Sequence, residues 1–358
     1  MSALHPLDLA GIYNQTLTAR KIVVVDLGFL GDTVHLIPAL REIKRHYPNA
    51  ALHVLTSTVG ADVLRMAPCV DRAWSVELHP NRRTWHEHWT VGRSLRQERF
   101  DMAFNFGGAD RSIFLTALSG ARRRVAHQGG RKHFWNRWLI RDWVSARDPK
   151  LPAYEQKRQV LKACGLALEP ARWDLELPEA AAARAASLVP TGAIHLSVNA
   201  SMPLKEWPLQ HWIALSKQLL DADKGLHIVA SGSADSREQE RLRALKEGVA
   251  SERLVAVPEK LSITELAAVL QRSRIHIGGD SGVLHLAAAV GTPTVSLFRE
   301  YHDASAWMPV GEKHHVLSVP CECIGRANPM CALKAECLAT ITPNAVAEIV
   351  RNKLRAAP

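Results

Sequence analysis

Ile275-His276-Ile277-Gly278-Gly279-Asp280-Ser281-Gly282-Val283-Leu284-His285 reads as a short apolar strand that passes at once into a helix. The first turn of a helix offers unpartnered backbone N–H groups and the positive end of the dipole. Gly282 removes the Cβ that would hold a diphosphate away from those donors, so the stretch suits an anion. Asp280 or Ser281 is also a good N-cap, worth about 1 kcal/mol. Capping alone accounts neither for Gly282 nor for His285 one turn in from Ser281.

The same alternation continues on both sides. Residues 193–198, 226–230, 253–256 and 294–298 read as strands, and 209–220, 236–247, 263–271 and 282–290 as helices. An earlier series starts with the β-branched run Lys21-Ile22-Val23-Val24-Val25-Asp26 and adds strands over 51–56, 73–77 and 102–106. Its first helix, over 33–46, carries Val34, Ile37, Leu40 and Ile43 at helical spacing. Alternating strands and helices predict parallel sheets with right-handed crossovers. Two such series predict an α/β protein of two Rossmann-like halves facing a central cleft at their strand carboxyl ends. Pro170, Pro178 and Pro190 surround an Ala-rich helix and mark the join. The expected domains are 1–178, 179–340 and a C-terminal helix in 341–358 that packs back on the first.

The bulk numbers agree with a folded two-domain chain. It has 358 residues, 47% hydrophobic and 22% charged, too long for one ordinary core and too apolar for disorder. A net charge of +10 implies an anionic partner. No apolar stretch approaches the ~20 residues of a membrane span, and residues 1–20 lack a signal-peptide core, so a cytoplasmic location is expected. Positive charge is dense at Arg122, Arg123, Arg124, Arg131, Lys132, Arg137 and Arg141, interleaved with Phe134, Trp135, Trp138 and Trp143. Composition fits a solvated basic face over core tryptophans.

Three further loops carry candidate chemistry. Leu27-Gly28-Phe29-Leu30-Gly31-Asp32 follows the first strand and opens the first helix, but it is not the dinucleotide Gly-x-Gly-x-x-Gly. Asp32 can accept a proton from a bound hydroxyl, or it can simply cap the helix; both readings stand. Lys205 is pinned between Pro203 and Pro208, where a cation can reach a phosphate at the sheet edge, or it is an exposed loop lysine. Glu238, opening the next helix but one, can take both hydroxyls of a ribose or complement the dipole.

These loops, with Gly278-Gly279-Asp280-Ser281-Gly282-Val283-Leu284-His285-Leu286-Ala287-Ala288-Ala289-Val290-Gly291-Thr292-Pro293-Thr294, occur in an order that resembles the ADP-heptose-dependent lipopolysaccharide heptosyltransferases, glycosyltransferase family 9. The likeness runs from about Lys21 to Ile349 and includes Ser119-Gly120-Ala121-Arg122-Arg123 and Ile341-Thr342-Pro343-Asn344-Ala345-Val346. It implies a GT-B fold, acceptor in the first half and donor in the second. By resemblance, Asp32 is the general base, beside Gly31. Ser201 and Lys205 touch phosphate, Glu238 the ribose, and Asp280 and His285 lie near the donor sugar. Ser281, Gly282 and Val283 offer backbone contacts to the diphosphate. Where the family commonly has a hydroxyl before Ser201, this chain has Ala200.

The implied reaction is inverting transfer of heptose from ADP-heptose to a phosphorylated, lipid-linked glycan. The enzyme would need no cofactor and would touch the cytoplasmic face of the inner membrane. The acceptor gives Arg122, Arg123 and Arg124 a role in binding it. Cys321, Cys323, Cys331 and Cys337 resemble a metal cluster, but Cys-x-Cys is tighter than ordinary zinc spacing, and reduced thiols are the favoured reading. The alternatives are a relative using another nucleotide sugar or a protein acceptor, a sugar-nucleotide epimerase, and a basic nucleic-acid-binding protein stacking bases on its tryptophans.

Overall fold

The structure, a computed structural model, describes residues 11–77, 85–127, 133–144, 148–257, 260–301, 303–321 and 336–356. Contacts divide the chain into two compact units, Met1–Glu176 and Leu177–Pro358.

The first unit runs α1 (Ile12–Thr16), β1 (Lys21–Val25), α2 (Leu30–His46), β2 (Ala51–Ser57), α3 (Thr58–Leu64), β3 (Arg72–Val76), α4 (Trp85–Gln97) and β4 (Met102–Asn105). It continues with α5 (Asp110–Leu118), β5 (Arg123–His127), α6 (Asn136–Leu139), β6 (Asp142–Val144) and α7 (Ala153–Ala163). Its sheet has the order β3-β2-β1-β4-β5-β6, all parallel. β1 sits centrally because Ile22, Val23, Val24 and Val25 are wholly buried, with apolar side chains on both faces.

The second unit runs α8 (Glu179–Leu188), β7 (Ile194–Ser197), α9 (Leu209–Ala222), β8 (Ile228–Ala230), α10 (Ser236–Val249), β9 (Leu254–Ala256), α11 (Ile263–Arg272) and β10 (Ile275–Gly279). Then follow α12 (Gly282–Ala289), β11 (Thr294–Glu300), β12 (His314–Pro320), α13 (Glu336–Ala339) and α14 (Pro343–Ala356). The parallel order is β12-β11-β10-β7-β8-β9. Counted from its own first strand, each unit has the Rossmann order 3-2-1-4-5-6. The direction of winding therefore reverses between β1 and β4 and between β7 and β10, and a doubly wound sheet binds ligands at the carboxyl ends of those strands. Each unit is therefore a doubly wound, Rossmann-like α/β domain, as the alternation of strands and helices predicts.

The C-terminal helix corrects one expectation. Val346, Ala347 and Val350 of α14 enter the second unit's core with Trp207, Trp212 and Leu215, and α14 lies along α9. Trp207 Nε1 donates to the carbonyl of Ile341 at 2.9 Å, fixing the approach to the helix. An apolar stripe on α14 meets the stripe of α9, so the helix completes its own unit's core.

β7 and β10 also place His195 beside His276, Nδ1 to Nδ1 at 2.9 Å, with His195 Nε2 2.8 Å from Ser231 Oγ. Burial pushes His195 down to about 3; burial, and then the neighbouring His195, holds His276 well below its ordinary value. Both imidazoles are therefore neutral when folded and free to charge when unfolded. Between about pH 6.5 and 3 the unfolded chain binds protons that the folded chain does not, so stability present at neutral pH is lost as pH falls. Each histidine is expected to cost on the order of 1.4 kcal/mol per pH unit in that window. Denaturant midpoints of the second unit should fall steadily from pH 7 to 5; a flat profile contradicts this.

Candidate functional site

The second unit gathers most of the candidate residues at the carboxyl edge of its sheet. After β7 the chain passes through Asn199, Ala200 and Ser201 into a 3-10 turn, Pro203–Lys205. Glu206 holds that loop: its carboxylate accepts from Ala200 N at 3.1 Å and from Arg237 Nη1 at 2.6 Å, with Arg241 Nε 3.6 Å away. Arg237 Nη2 also donates to the Ala200 carbonyl at 3.2 Å. Trp207, fully buried, roots the far end of the loop. Ala200 is thus a buried link in the loop's support, while Ser201 is exposed.

Glu238 stands on the next loop, at the start of α10, whose N-cap is Asp235. Its carboxylate accepts from Ser233 N at 2.8 Å, which tightens the turn after β8. A Cβ on Gly232, in the same turn, would come within 2.9 Å of Leu242 Cδ1 and 3.2 Å of Asn199 Nδ2.

After β10 comes the anion loop. Ser281 is the N-cap of α12, yet its side chain caps nothing, and its Oγ is buried without a hydrogen-bond partner. Asp280, 7% exposed, accepts from Lys205 Nζ at 2.6 Å and Tyr301 Oη at 2.7 Å on the same oxygen. Lys205 Nζ lies 4.9 Å from the Tyr301 ring centre. Burial, and then the Asp280 carboxylate, pushes the Tyr301 hydroxyl far above its ordinary value, so it remains a donor. Gly279 makes the Lys205 loop fit: a Cβ there would sit 3.0 Å from the Lys205 carbonyl. His285 is buried one turn into α12, its ring 5.6 Å from that of Trp307. Gly282 and Val283 form the first turn. Asn199 Nδ2 and two nitrogens of Arg299 are further buried polar atoms without a hydrogen-bond partner in this unit. A buried group left so costs about 1–3 kcal/mol, which a ligand oxygen at that position would recover.

In the first unit Asp32 lies at the third position of α2, and its Oδ2 accepts from Phe29 N at 2.9 Å. A Cβ on Gly28 would fall 2.1 Å from Asp32 Cβ, so only glycine admits the carboxylate here. Ser57 Oγ donates to the Gly28 carbonyl at 2.7 Å, and the buried Asp26 just ahead pairs with Lys157 of α7. The loop that carries Asp32 and Gly31 is therefore held from both sides. The cap is present, and it coexists with a carboxylate at the switch point of the first sheet.

The second unit thus holds a lysine–aspartate–tyrosine cluster beside a helix N-terminus, and the first a carboxylate after its central strand. The family model of glycosyltransferase family 9 (heptosyltransferase) matches residues 88–335. The chain belongs to glycosyltransferase family 9. Lipopolysaccharide heptosyltransferase 1 of Escherichia coli (strain K12) is 26% identical over 302 residues, covering 78% of this chain and 87% of that protein. The structure of E. coli ADP-heptose lps heptosyltransferase II superposes with a TM-score of 0.75 at 22% identity, covering 94% of this chain and 99% of that one. The E. coli heptosyltransferase WaaC with ADP-2-deoxy-2-fluoro heptose gives 0.72 at 21%, covering 93% and 99%.

In this family 9 glycosyltransferase, the three arginines expected to meet the acceptor lie at the far edge of the first sheet from Asp32. Arg123 opens β5 and Arg122 precedes it, at the amino end of the strand, whereas Asp32 lies past the carboxyl end of β1 in the same parallel sheet. Roughly 16 Å of strand separates the two edges. Arg123 pairs with Asp142 at 2.9 Å, and Arg124 donates to the Leu139 and Ala121 carbonyls at 2.6 and 2.8 Å. Arg122, its side chain 84% exposed, is 3.8 Å from Asp101. These are edge supports and surface charge, remote from the candidate base. Arg131 and Lys132 lie outside the described residues, as do Cys323 and Cys331; Cys321 is buried and Cys337 half-buried. Among the described residues no group of three His, Cys, Asp or Glu is placed to hold a metal.

Sequence reading missed Tyr301, Glu206, Arg237 and Arg241. Glu206 and Arg237 adjoin residues already singled out, but their pairing spans two loops. Tyr301 follows β11, and only the adjacency of β11 to β10 shows its role. Tyr301→Phe removes one of the two donors on Asp280. A drop of about tenfold in kcat/KM for the donor is expected, from the ~1.5 kcal/mol of a hydrogen bond to a charged group. An unchanged value would reduce Tyr301 to a packing residue.

Proposed function

We propose that this glycosyltransferase moves heptose from ADP-L-glycero-D-manno-heptose to a hydroxyl of a lipopolysaccharide core, with inversion at the anomeric carbon. The observation that carries the reading is the Lys205–Asp280–Tyr301 cluster beside the N-terminus of α12, in a chain whose family is the heptosyltransferases. The donor sits on the second unit. Ser201, Lys205 and the Ser281, Gly282 and Val283 backbone take the diphosphate, Glu238 the ribose, and Asp280 and His285 the sugar. The acceptor, a phosphorylated lipid-linked glycan, sits on the first unit, and Gly31 keeps the backbone close where it binds.

The acceptor hydroxyl gives its proton to Asp32 as its oxygen bonds to the anomeric carbon. The bond from that carbon to the β-phosphate oxygen breaks with its electron pair, and ADP leaves. Negative charge grows on the diphosphate, where Lys205 and the α12 dipole are already aligned; such preorganised groups contribute most to the rate. No metal is required to balance this step. On this reading the enzyme works in the cytoplasm, in contact with the inner membrane that carries its lipid-linked acceptor. No helix among the described residues is long and apolar enough to cross a membrane, which suits peripheral contact.

Donor choice tests the reading. With core acceptor present, nucleotide release is measured from ADP-heptose and from UDP- and GDP-sugars in parallel. ADP-heptose is expected to be used at least tenfold better; preference for another nucleotide sugar would assign the chain a different donor.

A further inference from the structure

Residues 133–141 carry a surface that the transfer chemistry does not use. Asn136 and Ile140, four apart, face inward: Asn136 is fully buried and donates to Asp110 Oδ1 at 3.2 Å, and Ile140 packs with Ile113 and Ala126. Those two anchors turn the other side of the segment outward. There Phe134 and Trp138 are 78% and 82% exposed and Trp135 is 36% exposed. Arg137 and Arg141 are exposed in the same stretch. Arg141 also lines a pocket of about 360 Å³ with Arg20, Arg122 and Arg123, against one carboxylate, Asp101.

Large aromatics held out in water beside clustered arginines make an unfavourable surface for a protein alone and a favourable one at a bilayer. Tryptophan concentrates at headgroup depth, and arginines near an anionic leaflet are attracted to its phosphates. Interfacial binding strengthens with buried apolar area and with attraction to anionic lipids, and this segment offers both. We propose that this face docks on an anionic phospholipid surface. Phe134 and Trp138 enter the headgroup–acyl boundary, and Arg137 and Arg141 meet lipid phosphates. The net charge of +10 has the sign that such a surface selects. The proposal deepens the membrane contact in the functional reading by naming the surface that makes it.

The test uses the full chain without donor or acceptor, so its failure leaves the transfer reading untouched. Co-sedimentation is measured with phosphatidylcholine vesicles, with and without phosphatidylglycerol, and with inorganic phosphate as competitor. Binding is expected only to the anionic vesicles, weakening with salt and resisting millimolar phosphate. Two double variants, Phe134→Ser with Trp138→Ser and Arg137→Glu with Arg141→Glu, are each expected to lower partition about tenfold or more. Circular dichroism and Tm confirm the fold of each, and one folded double variant is enough to decide. The docking is overturned by wild-type protein that ignores anionic vesicles, by folded variants that bind as wild type, or by single-stranded RNA displacing the vesicles through the same residues. Release by phosphate alone also overturns it, by showing a simple anion pocket.

Discussion

Asp32→Asn is expected to lower kcat by about 10²–10⁴-fold, the range that a positioned general base supplies. The substitution is chosen because it separates the two roles the carboxylate can play. The amide oxygen of asparagine can still accept from Phe29 N, so the cap at the head of α2 survives. What it loses is the ability to take a proton at neutral pH. Stability should therefore stay within about 1 kcal/mol of wild type while turnover collapses. Donor affinity should hold, since the residues proposed to bind it are on the second unit. Near-wild-type kcat would leave Asp32 as a helix cap and send the search for the base elsewhere.

Lys205→Ala is the second large effect, and it has two parts. Lys205 Nζ lies 2.6 Å from Asp280, and their side chains are only 21% and 8% exposed. Removing the cation leaves a nearly buried carboxylate with Tyr301 as its remaining partner in the cluster. Breaking one side of a buried pair costs about 3–5 kcal/mol, and the partial exposure of Lys205 brings the expectation below that range. The catalytic part is a loss of about 10²–10³ in kcat, typical for one donor aimed at developing charge, with a raised donor KM. Lys205→Arg keeps the charge and separates the two parts: it should restore most of the stability but only part of the rate. Steady-state kinetics with the donor varied, alongside thermal melts, reads both. An unchanged donor KM and kcat in Lys205→Ala would make Lys205 a structural partner of Asp280 alone.

The fold was legible because it rests on central strands. Ile22–Val25 is buried on both faces and reads as a continuous β-branched run, while Ile275–Gly279, also buried throughout, is marked by Ile275 and Ile277 running into the Gly278-Gly279 turn. The edge strands β3 and β9 were read as well, but β6 and β12, and β5 beside β6, were not. β5 begins Arg123-Arg124, β6 is three residues long and β12 begins His314-His315, so none has the apolar run of a core strand. The helix over 341–358 was placed on the wrong partner because an apolar stripe states that a face is buried, not against what.

The candidate site divides in the same way. Residues within one loop, such as Ser281, Gly282 and His285, could be read together because the backbone fixes their spacing. The convergence of Lys205, Asp280 and Tyr301 depends on β7, β10 and β11 lying side by side, which no local pattern states. The same limit applies to Arg122, Arg123 and Arg124. Charge density is visible in sequence, but which edge of a parallel sheet carries it is set by strand direction.

Heptosyl transfer itself is tested most directly by incubating the purified chain with ADP-heptose and a panel of truncated lipopolysaccharide core acceptors, followed by mass spectrometry of the acceptors. One heptose added to at least one acceptor, with stoichiometric ADP release and none by Asp32→Asn, is the expected result. Release of ADP with no acceptor gaining a heptose, or gain of a different sugar from another nucleotide donor, would contradict it.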